Sequence, residues 1–345
     1  MRVAMQTLYA QTDGTTLRLQ HDTVLATMEK QTLLQIPLQH VQSIVAIGRV
    51  SITSPLLERC AKDGKSVVRM NGQGRFLYRL EGPRSGNVLL RIAQFQAVSH
   101  PEKLVPLVQS ILSGKLHNTR QTLLRSARDS RREESKERLR DVADDIARDL
   151  RRLPYVTDLN ALRGVEGINA KRYFSVFEHQ FTQWDSPVTR FHGRSRRPPR
   201  DPVNCLLSFL YALLHHDAMS AIESVGLDPQ IGFLHTLRPG RASLALDLME
   251  EVRSVLADRL AITLINRRQI QTDDFEFLPG GAVSLSESGR KTVLSAYQMR
   301  KREEFQHPLL EQRLALGDVL PVQARLLARA VRRDHLSYIP FYFKA

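Results

Sequence analysis

The chain has 345 residues, 42% of them hydrophobic and 25% charged, the balance of a folded protein rather than a disordered one, and its length suits two domains. Fifty Lys and Arg against 36 Asp and Glu leave a net charge of +14. An excess of that size repels itself and points to a polyanionic partner, nucleic acid before membrane. The two isolated cysteines, Cys60 and Cys205, argue against a disulfide framework and a structural zinc and fit a reducing compartment. The opening MRVAMQTLYAQTDG lacks the apolar core of a signal peptide, so a cytoplasmic protein is expected.

Short β-branched and apolar runs recur at residues 7–11, 16–20, 24–28, 33–37, 41–47, 66–70 and 75–80. Asp13-Gly14, Asp63-Gly64 and Asn71-Gly72-Gln73-Gly74 supply turn signals between them, which predicts a small sandwich. One helix interrupts it, with Ser54 as its cap, Pro55 in its first turn and Gly64 at its end. The stretch 81–87 contains Gly82, Pro83 and Gly86 and reads as a linker that closes an N-terminal domain of residues 1–87.

From Val88 onward the apolar period is helical. Residues 120–152 hold 11 Arg or Lys and 8 Asp or Glu around Leu139, Val142, Ile146 and Leu150, the pattern of an amphipathic helix with a charged outer face. Further helices are expected at 168–182, 203–216, 219–225, 241–268, 287–304 and 319–333. The longest apolar stretch, Cys205 to Leu214, is too short to span a membrane, and no membrane partner is expected. The predicted class is α+β: a small β-sandwich-like N-terminal domain, then a larger all-α catalytic domain over 88–345.

Candidate chemistry concentrates in the second half. After Pro239-Gly240 a helix begins whose residues Ala242 to Met249 are apolar on nearly every side apart from Ser243 and Asp247, so it is buried. A carboxylate there is costly unless paired or bound to a cation. Asp247 and Glu250, three residues apart, share a face, and His235 precedes the turn and can fold back over it. One imidazole with two carboxylates suits Mg²⁺ or Mn²⁺; the alternative is a core histidine, with Asp247 paired to Arg241 or Arg253. Glu166 lies between Gly164 and Gly167, before a helix carrying Tyr173, Phe174 and Phe177. It reads either as a carboxylate reaching into a site or as a first-turn acid on the helix dipole. The segment 186–200 contains Arg190, Arg194, Arg196, Arg197 and Arg200 and no acid, which suits phosphate contact or a solvated loop. Asn204, in the first turn of the next helix, is a cap or a packed polar residue.

Three blocks in this order resemble the spacer-acquisition integrase family of CRISPR systems, the first-numbered CRISPR-associated protein, along essentially the whole chain. They are Leu162-Arg163-Gly164-x-Glu166-Gly167-x-x-Ala170-x-x-Tyr173-Phe174; then Arg197-Pro198-Pro199-x-Asp201-Pro202-Val203-Asn204-x-Leu206-Leu207-Ser208; then Gly232-Phe233-x-His235 with Gly240-Arg241-x-Ser243-Leu244-x-x-Asp247-Leu248-x-Glu250. The tail Tyr338-Ile339-Pro340-Phe341 resembles the subtype I-C branch.

The resemblance implies that Glu166, His235 and Glu250 are catalytic and hold Mg²⁺ or Mn²⁺, with Asp247 as a support or an additional ligand. It implies a β-rich N-terminal domain used for dimerisation and double-stranded DNA as substrate, with Arg190, Arg194, Arg196, Arg197, Arg200 and Arg241 as candidate contacts. A homodimer, a small dimeric partner (the second-numbered CRISPR-associated protein) and an end-trimming nuclease complete the implied assembly. The implied reaction is metal-dependent transesterification that joins a captured 3′-hydroxyl to the CRISPR repeat, or endonuclease cleavage when water attacks. A non-catalytic basic DNA-binding scaffold is the competing class; it accounts for the charge and leaves the buried acids without a purpose.

Overall fold

Strands form where the β-branched runs lie and helices where the apolar period lengthens. The computed structural model describes residues 7–29, 31–72, 76–80, 82, 87–182, 187–307, 309–332 and 337–343. The chain divides into two units, residues 1–86 and 87–345. The expected linker 81–87 lies outside the described residues except for Gly82 and Asn87, as does Arg75 at the start of the last expected strand.

The first unit holds β1 (Thr7–Ala10), β2 (Thr16–Gln20), β3 (Thr23–Met28), β4 (Gln31–Pro37), β5 (Ser43–Ile47), β6 (Ser51–Ile52), α1 (Ser54–Lys62), β7 (Ser66–Met70) and β8 (Phe76–Leu80). Two four-stranded sheets result, ordered β1-β5-β7-β8 and β4-β3-β2-β6. Both feed one apolar cluster, with Ala10, Ile44, Ala46 and Val67 from the first sheet and Leu17, Val24 and Ala26 from the second. Leu56 and Cys60 of α1 join the same cluster, because β5 and β7 are parallel and α1 lies in the connection between them. A sandwich of hairpins alone would lack that crossover. The cap of α1 is Thr53 rather than Ser54, which is already helical, and Thr53 makes no side-chain capping bond.

The second unit runs α2 (Val88–Ser99), α3 (Pro101–Asp129), α4 (Glu133–Arg152), α5 (Leu159–Ser175), α6 (Pro202–Ser224), α7 (Ser243–Val252), α8 (Arg259–Asn266), α9 (Glu287–Arg302) and α10 (Val319–Arg332). The expected helix over 120–152 is two helices, because Ser130 turns extended (ψ 144°) after α3 and Glu133 and Glu134 open α4 as first-turn acids. The helices expected at 203–216 and 219–225 are one, α6. The helix expected at 241–268 is interrupted by a π-helical turn, Arg253–Asp258. The unit is not all-α: two short antiparallel pairs, β9 (Phe275–Phe277) with β10 (Val283–Leu285) and β11 (Glu304–Gln306) with β12 (Arg313–Ala315), flank α9.

Helix α6 as a whole is long and apolar enough to cross a membrane by length and composition alone, although its apolar run 205–214 is only part of it. It packs instead on α7 and α10, burying Val203, Leu206, Leu207, Leu210, Leu213 and Leu214. This central packing, with α3 also against α7, makes α7 the buried axis of the unit.

Candidate metal centre

Helix α7 buries three acids, Asp247, Glu250 and Glu251, among Leu244, Ala245, Leu248 and Met249. Each acid has its own set of partners, and those partners define the site.

Asp247 is fully buried and organises the loop before the helix. Its Oδ2 accepts from Phe233 N at 2.5 Å and Leu234 N at 3.0 Å, and its Oδ1 accepts from His235 N at 2.9 Å. His235 Nδ1 lies 2.7 Å from the same Oδ1, which as a carboxylate oxygen accepts the ring proton and leaves the Nε2 lone pair free. The loop comes this close because Gly232 has no side chain; a Cβ there would sit 2.6 Å from Ser243 Cβ. Arg163 of α5 ties the loop from the other side by donating to Leu234 O at 2.9 Å. Asp247 therefore pairs with His235 rather than with Arg241 or Arg253, and both its oxygens accept hydrogen bonds.

Glu250 faces cations. Arg253 Nη1 donates to its Oε1 at 2.6 Å, and Lys115 Nζ of α3 lies 3.0 Å from Oε2. The Lys115 ammonium also pairs with Glu166 of α5. One cation position thus joins two carboxylates carried by different helices. Burial pushes the Glu250 carboxyl upward, but the charges of Arg253, Lys115 and His235 outweigh it and hold it at about 2. The side chains of His235 and Glu166 are 27% and 26% exposed and that of Glu250 only 7%, so Glu250 lies deep with the other two nearer solvent. Glu166 lies inside α5, not ahead of a helix, and added side chains at Gly164 and Gly167 would meet open space, so the glycines admit no close neighbour within the chain. Among the described residues no three His, Cys, Asp or Glu side chains close around one metal position. The structure brings Glu166 to Glu250 through Lys115, and His235 to Asp247.

Glu251 looks the other way. Its carboxylate accepts from Tyr338 Oη, from Phe341 N at 2.8 Å and from Gln323 Nε2 at 3.1 Å. Burial pushes this carboxyl up to about 8. Asn118 of α3 donates to Glu251 O at 2.6 Å and Phe341 O at 2.8 Å. The tail 338–341 is thereby strapped across α3 and α7. Behind Glu250 the buried polar network continues: Arg253 lies over the Tyr211 ring at 5.4 Å, and Asp258 accepts from Tyr211 Oη at 2.5 Å and Tyr173 Oη at 3.0 Å. Arg253, in the π-helical turn, and Tyr211 make this the wall of the site.

The arginine segment divides. Arg190, Arg196, Arg197 and Arg200 are exposed. Arg194 is not available to a ligand in the same way: it donates to Asn204 Oδ1 at 2.6 Å and stacks over Tyr211 at 5.2 Å. Asn204 is a packed polar residue, not a cap; Asp201 is the cap, and Asn204 also accepts from Ser195 N at 3.0 Å. Arg241 is spent on the loop, donating to Thr236 O and to Ser243 Oγ.

A profile of the family described as "CRISPR associated protein Cas1" matches residues 8–299. The chain is 47% identical, over the full length of both, to the CRISPR-associated endonuclease Cas1 1 of Moorella thermoacetica. It is 36% identical to a CRISPR-associated exonuclease Cas4/endonuclease Cas1 fusion of Rhodospirillum rubrum, over 97% of this chain and 57% of the fusion. In fold it is similar to TM1797, a Cas1 protein from Thermotoga maritima (TM-score 0.81, 23% identity, 99% of this chain and 100% of that one). It is also similar to a casposase bound to integration product (0.82, 21%, 99% and 95%) and to a chain of a Cas6-RT-Cas1–Cas2 complex (0.81, 24%, 100% and 37%). With the order of its β-rich and helical units and a profile match over most of its length, the chain belongs to the Cas1 family of CRISPR-associated proteins.

Proposed function

We propose that this protein is the divalent-metal-dependent DNA endonuclease and integrase of CRISPR adaptation, with Glu166, His235 through Nε2, and Glu250 as the ligands of Mg²⁺ or Mn²⁺. The observation that carries this is the meeting of Glu166 and Glu250, from α5 and α7, on one cation position. The donor set fits a hard dication with one nitrogen ligand. Glu250 Oε2 is buried and meets only the Lys115 ammonium, at 3.0 Å, so once that cation moves it has lone pairs to give.

When bound, the ion supplies Lewis-acid stabilisation of charge at the scissile phosphate. The chain does the rest. Asp247 holds the His235 tautomer, Arg253 neutralises part of Glu250, and the Tyr211–Asp258–Tyr173 network keeps the wall rigid. The 3′-hydroxyl of a captured fragment attacks the phosphorus of the repeat strand in line. A new phosphodiester forms, and the 3′-oxygen of the cut strand leaves with a proton. Water in place of the hydroxyl gives cleavage.

The net charge of +14 and the exposed Arg190, Arg196, Arg197 and Arg200 support duplex phosphate contact without base readout. Dimerisation through the N-terminal unit is supported by apolar side chains exposed on two edge strands, Leu33 and Leu34 of β4 and Phe76, Leu77 and Tyr78 of β8. Cas2 is the small partner and a Cas4-type nuclease the end-trimming one, supported by the similar chains found with Cas2 and fused to Cas4.

The test is strand transfer of a labelled short duplex into a repeat-bearing plasmid, with Cas2 and Mg²⁺ or Mn²⁺. Joined product from wild type, and none from Glu166→Ala, His235→Ala or Glu250→Gln proteins that still bind the duplex, is expected. Wild-type joining by any of the three variants refutes the ligand assignment.

A further inference from the structure

We propose that Lys115 is a built-in counter-cation of this centre: its ammonium holds Glu166 and Glu250 together without metal and is displaced when a divalent ion enters, so it limits metal affinity. The proposal rests on the reading of Glu166 and Glu250 as ligands and deepens it.

A lysine is almost never fully buried unless paired, and the side chain of Lys115 is 4% exposed with both carboxylates on its Nζ. It stands where an incoming cation has to stand. The helix beneath it cannot retreat. A Cβ at Gly114 would lie 2.8 Å from Pro340 Cβ and 3.3 Å from Glu251 Cγ, and Asn118, one turn on, is bonded to Glu251 O and Phe341 O. Only the flexible four-carbon stem of Lys115 is free to swing, and the partly exposed Glu166 side gives it a way out. Glu250 keeps a cation when it does, because Arg253 holds Oε1 at 2.6 Å. An ammonium left in place beside a dication would be repelled strongly in so dry a site.

A scaffold and a competitor differ in sign: removing a scaffold weakens metal binding, and removing a competitor strengthens it. The experiment titrates Mn²⁺ into the full chain and follows free aquo-Mn²⁺ by electron paramagnetic resonance. It uses wild type, Lys115→Met, Lys115→Gln and Glu166→Gln. Both Lys115 variants should bind Mn²⁺ about tenfold tighter than wild type or more, and Mn²⁺ should raise their melting temperature further than it raises that of wild type. Unchanged or weaker binding in the Lys115 variants, with binding lost in Glu166→Gln, overturns the counter-cation role and leaves the ligand assignment standing. Wild-type binding in Glu166→Gln overturns both. Lys115→Gln keeps a donor between the carboxylates in case the methionine variant does not fold. Soluble variants recovered only with Mn²⁺ present count for the proposal. Insolubility of both with and without Mn²⁺ counts against it, since a competitor can be replaced by the ion it excludes.

Discussion

Asp247→Asn is the sharpest perturbation of the centre, because it keeps shape and removes charge. Asp247 accepts four hydrogen bonds, two on each oxygen, from Phe233 N, Leu234 N, His235 N and His235 Nδ1. An asparagine offers one acceptor oxygen: if it stays on the His235 side, the Phe233 and Leu234 bonds are lost, and if it stays on the Phe233 side, the His235 N bond is lost and the Nδ1 bond is reversed. At about 1.5–3 kcal/mol for each bond to a charged group, one or two lost bonds cost about 1.5–6 kcal/mol. That is a melting temperature lowered by roughly 3–24 °C for a unit of this size. If the amide oxygen keeps the Phe233 and Leu234 bonds, its NH₂ faces His235 Nδ1 and selects the tautomer protonated on Nε2. The lone pair proposed for the metal is then gone, and Mn²⁺ affinity should fall by about 10–100-fold. Calorimetric melting and Mn²⁺ titration measure the two effects separately. A variant that melts within about 1 kcal/mol of wild type and binds Mn²⁺ equally well would refute the reasoning.

Glu250→Ala leaves Arg253 and Lys115 facing a cavity and should destabilise the protein by about 3–5 kcal/mol in urea titration, well beyond the effect of Glu250→Gln. Gly114→Ala puts a methyl 2.8 Å from Pro340 Cβ, so α3 or the tail has to shift, at about 1–3 kcal/mol in the same assay. The two neighbouring acids have opposite pH signatures. Glu250, held at about 2 against an ordinary 4.5, contributes stability that is present above pH 4.5 and lost as pH falls toward 2. Glu251, raised to about 8, binds its proton more tightly folded than unfolded, so its contribution is complete below pH 4.5 and declines as pH rises through about 8. Glu251→Gln should therefore flatten the decline in stability between about pH 5 and about pH 9, and an unchanged slope in urea melts would contradict this.

The strands of the first unit were legible because β-branched runs alternate with Asp-Gly and Asn-Gly turns, and among them only the two-residue β6 escaped that pattern; the three-residue strands β9 to β12 of the second unit are too short to carry it. The break in the charged helix has a local signal, Ser130 followed by Arg131-Arg132 and the first-turn acids Glu133 and Glu134. The site was legible where residues close in sequence cooperate, as in His235 with Asp247, 12 residues apart. Lys115 left no such trace, since it lies 51 residues from Glu166 and occupies an ordinary position in a long helix. Glu251 is likewise 90 residues from Phe341, and nothing in its neighbours distinguishes it from a surface acid beside Glu250. Arg194 and Arg241 carry the same charge as the exposed arginines; only packing on Tyr211 or on the His235 loop tells them apart.

The strap over α3 and α7 also sets an order of events during synthesis. The bond from Asn118 to Phe341 O spans 223 residues, so the helix bearing Lys115 waits for the last helix and the segment beyond it before its frame is closed. Contacts of such separation form late, after the local helices have already appeared. A nascent chain paused before residue 338 would have made every proposed metal ligand and still lack the tail partners of Glu251 and Asn118. The buried carboxylate of Glu251 and the buried amide of Asn118 gain these partners only once residues 338–341 have emerged.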